Sequence, residues 1–117
     1  MSDVSPTDAN NSVTQDIDPQ TLLRAKLNAE TGKLAWADLQ RHFARGVVIK
    51  VAVGLDLVDV AVAVSNDDKQ QVEAWMHAGH VQQATTQDAQ TWHAQNSVLW
   101  AIVTAPWVLV QDIVVQN

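Results

Sequence analysis

The chain has 117 residues, no cysteine and a formal net charge of −6. That length fits one domain with enough core to fold without covalent staples. The missing cysteine excludes a disulfide framework, a thiolate metal site and a cysteine nucleophile, and the acidic balance argues against general affinity for nucleic acid or an anionic membrane.

Residues 1–17 are rich in Asp, Ser, Thr and Asn and show no hydrophobic period. They read as a disordered acidic tail ahead of a single domain over 18–117. This opening has neither a basic start nor an apolar run, so it does not read as a secretory signal. The longest near-continuous apolar stretch, 98–110, is interrupted by Thr104 and Pro106. It is shorter than the roughly 20 residues a spanning helix needs. The expectation is a cytoplasmic protein with no membrane segment. Charge is unevenly spread: residues 19–50 carry six basic residues against Glu30 and Asp38, and residues 51–117 carry seven acids against Lys69.

"DPQTLLRAKLNAETG" predicts a helix, with Asp18 as cap, Pro19 in the first helical position and Gly32 as a left-handed stop. A second helix is predicted over 35–45, where Trp36, Leu39 and Phe43 share one face and Gly46 ends it. "VVIKVAV" (47–53) and "DLVDVAVAV" (56–64) both alternate, and Gly54 and Leu55 between them suit a type II′ turn. The pair therefore predicts a β-hairpin over about 47–64, in a register that sets Lys50 across from Asp59.

"SNDDKQQVEAWMHAG" predicts a third helix, capped by Asn66 or Ser65, with Asp67 and Asp68 in its first turn and Gly79 at its end. "HVQQA" suits a short strand. "TTQDAQTWHAQN" predicts a fourth helix, capped by Thr85 or Thr86, with Trp92 inward. "SVLWAIVTAPWVLVQDIVV" is strand-rich, and Pro106 marks a kink, an edge strand or a turn. The fold class is α+β, a mostly antiparallel sheet packed by about four short helices.

Asp56 and Asp59 are the first candidates for chemistry. In a strand they point to opposite faces, so the hairpin makes them no acid/base pair. It leaves Asp56 without a structural role. His77 and His80 are the nearest approach to a metal pair, but Gly79 separates them, and a zinc site needs three or four ligands. No serine-hydrolase elbow, P-loop or dinucleotide fingerprint is present, so no cofactor is indicated and an enzyme is the weaker class. The basic stretch 19–45 superficially suggests helix-turn-helix, with Arg41 and Arg45 able to meet phosphates. Asp38 and Glu30 interrupt it, and a solvated face or a dock for an acidic surface explains it better than nucleic acid does. Five tryptophans stand against one Phe and no Tyr. Trp107, after Pro106, is the one placed to lie at an interface.

The segments "LRAKLNAETGKLAWADLQRHFARGVVIKVAVGLDLVDVAVAVSNDD", "VEAWMHAG" and "LWAIVTAPWVLVQ" resemble a small bacterial family, domain of unknown function 2288, over about residues 22–111. The resemblance implies a bacterial cytoplasmic protein and carries no activity. Three readings follow. The leading one is a non-enzymatic binding or accessory module for a protein partner or a second copy, self-associating through an edge strand near Trp107. The others are a nucleic-acid binder using 19–45 and a small metal-dependent enzyme using His77 and His80.

Overall fold

The structure is a computed structural model and describes residues 18–114. The tail expected over 1–17 lies outside them. Asp18 accepts the Gln20 N–H at 3.3 Å and Pro19 opens helix α1, Pro19–Glu30. Gly32 is not the left-handed stop expected of it. The chain turns extended at Thr31, and Gly32 begins a strand that the sequence reading missed, β1, Gly32–Ala35. Helix α2 (Trp36–Ala44) ends at Gly46, whose φ of 76° suits a residue without a Cβ. Strand β2 (Val48–Val51) follows.

The predicted hairpin over 47–64 is not formed. Gly54 and Leu55 lie in a loop, and the second run is helix α3, Leu57–Ser65. From Leu57 to Val64 every residue but Asp59 is apolar, so the run satisfies a period of 2 and a period of 3.6 alike. Packing decides between them. Ala61 and Ala63 are buried while Val62 and Val64 are only half-buried, the reverse of what the strand register requires. Helix α4 (Lys69–His77) is capped by Asp68, which accepts the Gln71 N–H, rather than by Asn66 or Ser65. Asn66 instead closes α3, and Asp67 takes a left-handed φ of 56° between the two helices.

Strand β3 (Val81–Gln83) leads to helix α5 (Thr86–Gln95), whose Thr85 and Asp88 form a reciprocal capping box. Strands β4 (Val98–Thr104) and β5 (Trp107–Asp112) then pair across the two-residue turn Ala105–Pro106, which contains a cis peptide. Pro106 thus marks a turn.

The strand order is β1-β4-β5-β2-β3. Three pairings are antiparallel and β2–β5 is parallel, so the sheet is mixed. Among the described residues five helices cover it. Leu27 of α1 and Val60 and Ala61 of α3 pack with Val51, Ile102 and Leu109 on one face. Trp36 and Leu39 of α2 and Ala89 and Trp92 of α5 pack with Val48, Leu99 and Val110 on the other. The result is a three-layer α+β domain whose strands alternate between two apolar clusters.

Candidate functional site

The residues singled out from sequence do not converge. Asp56 caps α3, its Oδ1 accepting the Val58 N–H at 2.9 Å. Asp59, in the first turn of the same helix, forms an ion pair with Arg24 rather than with Lys50. His77 ends α4 and His80 follows the left-handed Gly79, both exposed. Among the described residues no group of three or more His, Cys, Asp or Glu stands close enough to hold a metal ion.

The basic stretch is divided by the fold. Helices α1 and α2 are joined by β1, not by a turn, and they pack on opposite faces of the sheet. Arg41 and Arg45 are exposed at the end of α2, and Arg24 belongs to the other layer. The helix-turn-helix arrangement is therefore absent. Trp107 is 39% exposed, but β5 lies in the middle of the sheet, so it is not on an edge strand. The described sheet's edges are β1 and β3.

Trp107 instead borders a groove of about 420 Å³ that runs between α4 and the β2–β3 end of the sheet. Ile49 and Val81 form its floor, Val72 and Met76 of α4 its wall. Helix α4 buries none of its residues: Val72 and Trp75 are half-buried, and Trp75 packs against the cluster formed with α1 and α3. Met76 is 53% exposed. Asp67, Asp68 and Glu73 stand at the rim against a single cation, Lys69.

A second cavity, of about 430 Å³, opens on the other face beside α5. Lys50 Nζ donates to Asp88 Oδ1 at 2.8 Å, and Asp88 Oδ2 accepts the Thr85 N–H at 2.9 Å. Burial pushes the Asp88 carboxyl up, but the bonds from Lys50 and Thr85 outweigh it and hold the group below its ordinary value. Trp92 Nε1 donates to Asp112 Oδ1 at 3.1 Å in the same cavity. Sequence reasoning missed this cluster, because its members lie on β2, α5 and β5, up to 62 positions apart (from Lys50 to Asp112). The Thr85-x-x-Asp88 capping box was its one local signal.

Asp56 lines a third, more open cleft, with Asn28, Val53 and Trp100. Its carboxylate is engaged by the helix cap, and the Lys33 ammonium sits 5.3 Å from the Trp100 ring centroid. No described helix is long and apolar enough to cross a membrane.

A sequence profile described as Protein of unknown function (DUF2288) matches residues 22–112. No curated protein matches the chain. The NMR solution structure of PA1075 from Pseudomonas aeruginosa is similar, with 38% sequence identity and a TM-score of 0.72. The match covers 86% of this chain and 94% of that one.

Proposed function

Because the chain belongs to the family described as Protein of unknown function (DUF2288), which brings no activity with it, we propose its role from geometry alone: a non-enzymatic binding module. Its groove between α4 and β3 docks a segment of another protein, an apolar anchor flanked by Lys or Arg. The observation that carries this reading is α4 itself. A helix in a small domain normally buries its apolar stripe, and this one leaves Val72 half-buried and Met76 exposed along the groove.

The rim chooses the partner's charge. Three carboxylates against one ammonium favour a basic segment, and they disfavour a symmetric pairing of two copies, which would set acid against acid. Trp107 and Met76 supply the broad, adaptable apolar contact that peptide grooves use.

The test uses a short amphipathic peptide of leucine and lysine, with the same peptide carrying glutamate for lysine as its control. Binding is read from the Met76 methyl and Trp107 indole NMR signals. The lysine peptide should shift both, and Trp107→Ala should weaken it about tenfold, the usual scale for losing a buried aromatic anchor. Equal binding of the two peptides, shifts scattered outside the groove, or self-association that occupies the groove would each overturn the proposal.

A further inference from the structure

The cavity beside α5 is chemically unlike the groove, and nothing in the proposed role uses it. We infer that it binds a small organic cation, an amine or a guanidine, with Asp112 as the counter-charge. The walls bring Lys50, Asp88, Trp92 and Asp112 together with the amide and hydroxyl groups of Gln87 and Thr91. Its size lies within the range of about 300–1,000 Å³ that small-molecule sites occupy.

The assignment of charge follows from who is already partnered. Lys50 is neutralised by Asp88 at 2.8 Å, and both side chains are largely shielded, 28% and 17% exposed. Asp88 is doubly committed, since it also closes the capping box of α5. Asp112 differs. Its Oδ1 accepts the N–H of Trp92, an indole that is only 3% exposed, but among the described residues no cation lies within ion-pair reach of it. Asp112 is therefore the carboxylate of this cavity that is free to pair with a bound cation.

The backbone places this charge on the same face of the sheet as Lys50. Lys50 lies beside Val110 in the parallel β2–β5 register, and Asp112 is two residues further on the same face. With Lys50 spoken for and two carboxylates in the walls, an anion would meet net repulsion. The hydroxyl and amide groups of α5 then orient the ligand, as a few placed polar groups do in small-molecule sites.

The test titrates the full ¹⁵N-labelled chain with methylguanidinium and with ethanolamine, and reads the Trp92 indole N–H. Urea serves as the neutral counterpart and inorganic phosphate as the anion. A saturable shift with the two cations, weakened by added salt, is the expected result. Asp112→Asn keeps an oxygen to accept from Trp92 but removes the charge, and should weaken binding at least about tenfold, the scale of one lost charge pair. Thr91→Arg, at an exposed position of α5, fills the cavity and should block binding even if the Asn variant folds poorly. No saturable shift, equal affinity for urea, phosphate binding in place of the cations, or undiminished binding in both variants would overturn the inference. None of these outcomes bears on peptide docking in the groove.

Discussion

Lys50 of β2 and Asp88 of α5 are 38 residues apart in the chain and 2.8 Å apart in space. They tie the sheet to the helix that covers it. The same carboxylate also caps that helix, so one side chain fixes both the start of α5 and its docking.

The first expectation concerns pH. Asp88 ionises below its ordinary value of 3.8 in the folded chain, despite burial, because Lys50 and Thr85 bond to the charged form. A depressed folded pKa means that the unfolded chain takes up its proton first. The stabilisation is therefore fully present above the unfolded value and is lost as pH falls through the lower folded one. The stability of the wild type against denaturant should fall steadily below about pH 4, and Asp88→Asn should remove Asp88's share of that slope. Equal slopes below pH 4 would contradict it.

A double-mutant cycle separates the two partners open to Lys50. Lys50→Met with Asp88→Asn should show a coupling of about 0.5–3 kcal/mol, as residues in direct contact do. Lys50→Met with Asp59→Asn should show none. By itself Asp56→Ala should cost about 1 kcal/mol as a lost helix cap. Asp59→Ala should cost less, since its ion pair with Arg24 is exposed on both sides, 48% and 42%.

Two buried tryptophans should respond differently to one substitution. Trp36 and Trp92 touch, with ring centroids 5.8 Å apart. Trp92 gives its N–H to Asp112, whereas the Trp36 Nε1 is buried without a partner. Trp92→Phe loses a charge-assisted bond as well as ring area, and should cost about 1.5–3 kcal/mol more than an unbonded N–H would. Trp36→Phe gives up no bond and should be the milder change, which thermal melts of the two variants will rank.

Gln111 works at the opposite face. Its Nε2 donates to the carbonyls of Ala52 and Leu55, at 2.8 and 2.5 Å, and so pins the loop that leads into α3. Gln111→Ala should cost about 1–2 kcal/mol for two lost bonds. Amide hydrogen exchange should quicken over residues 53–57 first, before any global loss of protection.

Much of the helical layer was legible because its signals are local. Asp18–Pro19, Gly46, Gly79 and the cap at Thr85 each act within one turn of chain, and each does its work in the structure. The stretch 56–64 was misread because valine and alanine satisfy both periods and burial alone chose the helix. Asp56 and Asp59, three residues apart before an apolar run, were the capping signal that argued for it. Strand β1 is four residues at a sheet edge, too short for a pattern. The polar cavity was illegible, since only the parallel β2–β5 pairing brings Lys50 beside the segment that carries Asp112.

That pairing also sets an order of events. β5 is the centre of the sheet and the last described strand in the chain. Before residues 107–112 are made, β1 with β4 and β2 with β3 are two separate two-stranded ribbons, and such ribbons are at best marginal in water. A growing chain therefore holds Val48, Val51, Leu99 and Ile102, all nearly inaccessible in the finished domain, without the strand that joins their halves. The five-stranded sheet is incomplete until β5 is in place, and a nascent chain halted before Trp107 would present its core to whatever surrounds it.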